Sequence, residues 1–189
     1  MSLPPDLRSN QTKKAMRKIV LTCGGIAGAI VAFFMFATLP FRHSIEEGGA
    51  LWVGYTTMVI ALSMIFFGIK SYRDNHSMGS ITFGKGLQVG LLIALIAAVM
   101  YAISWEFYFN LLAPNFMEEY AATAIQKAKV SGMGESELKK MMSSYDEMKE
   151  MYKNPILRFG MTLAEILPVG IAISLISAGL LRRREILPA

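Results

Sequence analysis

The stretch LQVGLLIALIAAVMYAISW, residues 87–105, contains no charged residue over 19 positions. An α-helix rises about 1.5 Å per residue, so this stretch spans roughly 28 Å as a helix, close to the roughly 30 Å hydrocarbon core of a bilayer. Two further uncharged runs cover residues 19–39 and 51–69. A fourth run, residues 166–181, is uncharged over only 16 positions, so its span must begin upstream and take in Glu165. These runs predict four membrane-spanning helices.

The composition indicates an integral membrane protein of the all-α class. Of the 189 residues, 53% are hydrophobic and 17% are charged, whereas roughly a quarter are charged in an ordinary soluble domain. The single cysteine, Cys23, excludes an internal disulfide and a cysteine-rich zinc site. We therefore expect one membrane domain covering residues 1–189, in which four transmembrane helices form a compact bundle. The predicted spans are residues 19–39, 51–69, 83–109 and 156–181.

Basic residues are concentrated in the segments predicted to lie on one side of the membrane. Five are in the N-terminal tail, three lie between spans two and three, and three are in the C-terminal tail. On the other side, the first loop has only Arg42, and residues 113–155 carry six lysines against seven acids. Because cytoplasmic loops are enriched in Lys and Arg, we expect an inner-membrane protein with both termini in the cytoplasm. The basic residues of the first group are Arg8, Lys13, Lys14, Arg17, Lys18, Lys70, Arg73, Lys85, Arg182, Arg183 and Arg184.

The long connection between spans three and four has the pattern of two helices. Asn115, with Glu118 three residues later, is typical of a capping box at a helix start. The run Ser131-Gly132-Met133-Gly134 interrupts this helix. Asn154 and Pro155 are suited to the N-cap and first turn of the fourth span. The sequence thus predicts an extracytoplasmic amphipathic helical hairpin over residues 115–153. Apolar residues recur every three or four positions in its second helix: Leu138, Met141, Met142, Tyr145, Met148 and Tyr152.

The methionine content suggests copper binding as one hypothesis, because thioether sulfur atoms are good ligands of the soft monovalent copper ion. The chain has 14 methionines, and Met141, Met148 and Met151 lie in the predicted hairpin, where neither His43 nor His76 is located. A stripe of methionine and tyrosine at helical spacing is ordinarily a packing face. Packing is the favoured interpretation, and we expect no metal or cofactor.

Small residues recur every four positions in three of the predicted spans. Such stripes allow helices to approach closely in lipid, where hydrophobic burial does not drive their association. They predict close packing, and the same surfaces would serve equally well in a homo-oligomer. The residues are Gly24 and Gly28; Gly86, Gly90, Ala94 and Ala98; and Gly170, Ser174 and Ala178.

Three charged residues form a predicted intramembrane polar cluster, in which the two acids lie near one level of the membrane. Counting from the inner ends of the spans at about 1.5 Å per residue places Glu106 roughly 28 Å and Glu165 roughly 24 Å across. Arg158 lies seven residues before Glu165, within reach of Glu106. One hypothesis makes the acids a cation or proton site, with Pro168 opening the helix nearby. The favoured alternative is structural ion pairing at the interface.

Motifs of catalysis and nucleic-acid binding are not recognisable in the sequence. Phe83-Gly84-Lys85-Gly86 lacks the spacing of a phosphate-binding loop, and Lys85 is better explained as a membrane anchor. The basic tails have no interleaved aromatic residues, so we expect no nucleic-acid partner. We expect a protein that is not an enzyme and whose partners are the lipid bilayer and either further copies of itself or another membrane protein.

Several short segments resemble an uncharacterised bacterial family of four-pass membrane proteins, labelled domain of unknown function 4199. The resemblance covers nearly the whole chain after residue 15 and implies four spans, without an established activity, substrate or catalytic residue. The leading hypothesis is a non-catalytic binding, assembly or envelope-accessory role. The alternative is a small ion- or proton-coupled transporter or channel acting as a homo-oligomer. The segments are FFGIKSYRD (66–74), SITFGK (80–85), Trp105-Glu106, YKNP (152–155) and EILPVG (165–170).

Overall fold

The computed structural model describes residues 5–38, 47–77 and 79–182. Every regular element in those ranges is helical, as the composition predicts. The elements in chain order are α1 (Pro5–Ala37), α2 (Glu47–Leu62), α3 (Met64–His76), α4 (Phe83–Phe107), a π-helical turn (Tyr108–Leu112), α5 (Phe116–Val130), α6 (Glu135–Lys153) and α7 (Pro155–Leu181). Of the residues used in the sequence predictions, Leu39, Arg42, His43, Arg183 and Arg184 lie outside the described residues.

Four helical segments in these ranges are long and apolar enough to cross a membrane. They are Gln11–Ala37, Trp52–His76, Phe83–Leu112 and Pro155–Leu181. Each extends beyond its predicted bounds at one end, the fourth by a single residue. The reason is that hydrocarbon thickness limits the apolar run, whereas the helix continues through polar residues that are themselves good helix formers, such as the lysines, arginines and glutamine before residue 19.

The second span differs from the single helix predicted for residues 51–69. It consists of α2 and α3, separated at Ser63, whose hydroxyl donates a 2.6 Å hydrogen bond to the carbonyl oxygen of Ile60. Serine hydroxyls commonly bond back to a carbonyl of the preceding turn and bend a helix in this way. The Ser63 backbone stays in the helical region at φ −57° and ψ −22°, so the two helices still form one apolar segment.

The chain divides into two compact units, and the first comprises residues up to 101 and from 163 onward. In this unit the small-residue stripes of α4 and α7 face each other. A Cβ added at Gly90 would lie 2.9 Å from the Cβ of Ser174, one at Gly170 would lie 2.8 Å from the Cβ of Ala94, and one at Gly86 would lie 3.3 Å from the Cβ of Ala178. The helices α4 and α7 can therefore approach each other this closely only because the residues at these positions are small.

Helix α1 contacts α4 through two of its glycines. A Cβ at Gly24 would lie 2.8 Å from the Cβ of Ile96, and one at Gly28 would lie 2.6 Å from the Cβ of Met100. Ala98, the last member of the predicted α4 stripe, is fully buried. All nine small residues singled out in the sequence therefore lie at buried positions of this unit.

The second unit, residues 102–162, contains the helical pair α5 and α6. A four-residue connection joins the two helices, and Gly132 within it has φ +77°. The Gly132 amide donates to the carbonyl of Lys129, and the Met133 amide donates to that of Ala128, both at 3.1 Å. These two bonds form a Schellman motif, which ends α5 and needs a left-handed residue at the position of Gly132.

Two predicted helix caps have different outcomes. Asn154 Oδ1 accepts hydrogen bonds from the amides of Ile156 at 2.9 Å and Leu157 at 3.4 Å, so the predicted N-cap of the fourth span is confirmed. Asn115 does precede the first residue of α5, but in the described structure its side chain makes no capping hydrogen bond. The predicted capping box with Glu118 is therefore wrong. Asn115 has φ −98° and ψ 17° instead of the extended conformation that an N-cap requires.

Candidate functional site

The structure brings together two of the three charged residues predicted to form an intramembrane polar cluster. Glu106 is in the last turn of α4, and Arg158 is in the first turn of α7. Arg158 Nε donates to Glu106 Oε1 at 2.9 Å, and Arg158 Nη2 donates to Glu106 Oε2 at 2.5 Å. This is a bidentate guanidinium–carboxylate pair, the geometry in which arginine binds a carboxylate most strongly.

Arg158 uses its remaining surface in contacts with the same unit. Its Nη1 donates to the carbonyl oxygen of Tyr152 at 2.7 Å, at the end of α6. Its guanidinium carbon lies 4.1 Å from the centroid of the Phe109 ring, in cation–π geometry. The side chain of Arg158 is only 5% exposed. One buried arginine thus connects the ends of α4, α6 and α7.

The sequence prediction missed Asn110 and the π-helical turn that contains it. The Asn110 amide nitrogen donates to the backbone carbonyl of Glu106 at 2.7 Å and to Glu106 Oε2 at 3.3 Å. The Ala113 amide bonds five residues back, to the carbonyl of Tyr108, at 3.0 Å. A π-helical turn inserts an extra residue into a helix and often lies at a functional site. The sequence did contain one indication of this site, because Asn110 is a polar residue four positions after Glu106 in an apolar segment.

Glu165 belongs to the other compact unit and has a different environment. Its carboxyl group is hydrogen-bonded to the Tyr101 side chain. Tyr101 is 9% exposed, whereas Glu165 is an exposed residue of α7. Pro168 lies within α7 and has no amide hydrogen to donate to the carbonyl of Ala164. Of the predicted three-residue cluster, Glu106 and Arg158 form an ion pair in the second unit, and Glu165 forms a carboxyl–hydroxyl pair with Tyr101 in the first.

A series of aromatic contacts connects α4, α5 and α6 within the second unit. Trp105 stacks on Tyr108 at 5.2 Å between centroids and meets Phe116 edge-on at 5.1 Å. Phe116 stacks on Tyr120 at 6.0 Å, and Tyr120 meets Tyr145 of α6 edge-on at 5.9 Å. Aromatic pairs in these geometries each contribute about 0.5–1.5 kcal/mol beyond burial. Together with Arg158, they fix the helical pair to the ends of α4 and α7.

Helix α6 leaves its apolar side incompletely covered. None of its residues is buried, and Met142 and Met151 are 44% and 43% exposed. Met148 is half-buried and Met141 likewise. Within the described ranges, no group of three or more His, Cys, Asp or Glu side chains is placed to hold a metal ion. Met141, Met148 and Met151 share one side of the helix, whereas Met142 lies nine residues, or two and a half turns, from Met151 on the opposite side. What the arrangement offers is a partly exposed apolar strip formed by Met141, Met148 and Met151.

The four apolar helices indicate a multi-pass membrane protein. A family model described as "Protein of unknown function (DUF4199)" matches residues 22–183, and the chain belongs to this family. The match agrees with the resemblance seen in the sequence. Comparison with curated proteins and with solved structures finds no match.

Proposed function

We propose that this protein is a non-catalytic accessory protein of a bacterial inner membrane, and that the α5–α6 pair binds a partner outside the cytoplasm. The observation that carries the proposal is the incompletely covered apolar side of α6, on a helical pair that is fixed at its base. The positive-inside pattern of the basic residues, with both termini cytoplasmic, supports an outer position for this pair.

The ion pair favours a binding role over a chemical one. Arg158 directs its donors at Glu106 and Tyr152, and Glu106 accepts from Arg158 and Asn110. Groups whose hydrogen-bonding capacity is used in this way stabilise a geometry, and exchanging them with a passing ion costs the energy of breaking a buried pair. The pair is thus best explained as a structural clamp at the base of the helical pair.

Photo-crosslinking in cells tests this proposal. With a photoreactive amino acid at Met148 or Met151 of the full chain, we expect both positions to crosslink to the same partner protein. Met142 is the matched control, since it is the same residue type, is 44% exposed and lies on the opposite side of α6 from Met151. Equal crosslinking from Met142 would contradict a face-specific site. Crosslinks that run only to lipid would replace a protein partner with the membrane surface.

A second candidate function is transport of a proton or small cation by a homo-oligomer. The observation that favours it is Glu165, a carboxyl-bearing residue of an apolar span, hydrogen-bonded to Tyr101 and three residues before Pro168. Ionisable residues within spans often mark ion pathways. Four spans seldom enclose a pathway in one chain, so this function requires several copies, and a monomer in a native-like membrane mimic would argue against it.

Flux in proteoliposomes separates the two candidates. We expect no proton or cation flux above that of empty liposomes, because the Glu106 carboxylate is already paired with Arg158. If flux is present, and is abolished by Glu106→Gln with Glu165→Gln, the transport function replaces our proposal. The control carries Glu147→Gln and Glu150→Gln, which change the charge equally at two exposed positions of α6.

A further inference from the structure

The outward side of α7 carries an acid that the clamp does not use. The helix has two charged residues, Arg158 and Glu165. Arg158 is buried and paired, whereas Glu165 is exposed. The Tyr101 hydroxyl occupies one of about four acceptor positions of a carboxylate. Glu165 is thus an exposed residue, with acceptor positions left over, on a helix apolar enough to lie in a membrane.

The depth of Glu165 makes this exposure costly. It lies 16 residues before Leu181, which corresponds to about 24 Å along the helix, inside a hydrocarbon core of roughly 30 Å if the core begins at that end. That level is nearer the outer boundary than the centre, so the cost of an ionisable group is smaller than at the centre, and such residues within spans usually pair with another group. A hydrogen-bond donor or a cation from another helix would remove the cost.

The residues beside Glu165 permit close approach of such a helix. Ala164, Pro168 and Ala172 are exposed and recur every four positions on the same side of α7 as Glu165. Helices in membranes pack closely over small side chains, and they gain further from polar contacts between them. The inward stripe of Gly170, Ser174 and Ala178 is a different surface, because it already packs against α4.

The charge decides which partner fits. A second copy related by two-fold symmetry would place Glu165 opposite Glu165, since such an interface pairs the same patch on both chains, and two carboxylates repel. Among the Lys and Arg residues of this chain's own described spans, Arg158 is paired with Glu106. The others lie in segments predicted to be cytoplasmic, so none is expected at the level of Glu165. They are Lys13, Lys14, Arg17, Lys18, Lys70, Arg73 and Lys85.

We propose that the Glu165 side of α7 docks a membrane-spanning helix of another protein that carries a lysine or arginine at the same depth. This inference rests on the proposed accessory function, and it assigns that function a second contact, within the membrane. The two contacts involve different compact units, since α6 belongs to the second and Glu165 to the first.

The test uses a synthetic transmembrane helix of leucine and alanine with one lysine at the depth of Glu165. Energy transfer in phosphatidylcholine vesicles measures its association with the full-length protein, which carries a C-terminal fluorophore. We expect this helix to bind about tenfold more tightly than the same helix with glutamine, a difference in the range of polar contacts between membrane helices. Glu165→Gln should remove the preference, and Glu165→Asp should retain most of it.

A steric variant keeps the test decisive if Glu165→Gln impairs folding. Ala172→Leu leaves Glu165 and its Tyr101 bond in place, adds bulk at an exposed position, and should weaken binding of the lysine helix. Ala29→Leu is the matched control, because Ala29 is exposed on α1. Equal binding of the lysine and glutamine helices, or a preference that survives Glu165→Gln, would overturn the inference.

Self-association of the protein and the crosslinking at α6 each decide whether this inference stands. If the wild type self-associates and Glu165→Gln is monomeric, the occupant is a second copy, and the inference is wrong. Crosslinking at Met148 and Met151 is scored independently. Face-specific crosslinks without lysine-helix binding would overturn this inference and leave the accessory function standing, whereas lysine-helix binding without those crosslinks would overturn the proposed role of α6.

Discussion

Replacing Arg158 by methionine is expected to lower the free energy of unfolding by about 3 kcal/mol or more, because removing one partner of a buried ion pair leaves the other charge uncompensated. The substitution removes both bonds to Glu106 and the bond to the Tyr152 carbonyl. Unfolding of the purified protein in mixed micelles with increasing SDS, followed by tryptophan fluorescence, measures the loss. Trp105, one residue before Glu106, reports on the site directly.

The double variant separates the pair from simple loss of packing. With Glu106→Leu added to Arg158→Met, the uncompensated carboxylate is gone, and we expect much of the stability to return. Arg182→Met is the matched control, since Arg182 is exposed beyond the end of α7, and its effect should be small. If Arg158→Met leaves the unfolding curve unchanged, Arg158 and Glu106 are not a structural clamp, and the transport hypothesis gains support.

Gly90→Leu is expected to destabilise the first compact unit by about 3 kcal/mol, the upper part of the usual range for overpacking a core. A Cβ at position 90 would already lie 2.8 Å from Ser174 Oγ and 3.1 Å from Ile65 Cγ2. Ser174 is 0% exposed, and its hydroxyl donates to the Gly170 carbonyl at 2.7 Å, so it has little room to move. The same SDS unfolding experiment measures the effect.

Gly54→Leu provides the comparison. Gly54 lies in the second span, is exposed, and has no heavy atom within 4 Å of an added Cβ in the described structure. A leucine at position 54 should change the free energy of unfolding little, although it adds the same side-chain volume as a leucine at position 90. Similar losses from the two variants would show that the cost comes from replacing glycine in a span and not from the contact between α4 and α7.

The spans could be predicted because each is a property of one continuous segment. Residues 87–105 reveal a membrane helix by length and absence of charge, with no knowledge of the rest of the chain. The contact between α4 and α7 was also accessible through the four-residue spacing of their small residues. Glu106 lies twelve residues after Ala94, and Arg158 lies twelve residues before Gly170. Twelve is a multiple of four, so both charged residues continue the four-residue spacing of the small-residue stripes on their helices.

Local competition between side chain and backbone could not be judged from sequence. Ser63 interrupts the second span through its bond to Ile60, and Asn110 bonds the Glu106 carbonyl beside the π-helical turn. Serine and asparagine occur in helices both with and without such bonds, because the outcome depends on small differences in the energy of alternative hydrogen bonds. Asn115 shows the converse, a favourable capping sequence whose backbone adopts another conformation.

The sequence by itself determined the class of the protein, the number of its spans, the stripes of small residues and the identity of the charged residues within apolar segments. Only the tertiary structure decided which of those charges is buried and which is exposed. Arg158 and Glu165 lie seven residues apart on one helix, and seven residues are nearly two turns, so periodicity assigns them to nearly the same side. Their different environments come from Glu106 and Tyr101, residues distant in sequence, because burial is set by contacts between helices and not within one.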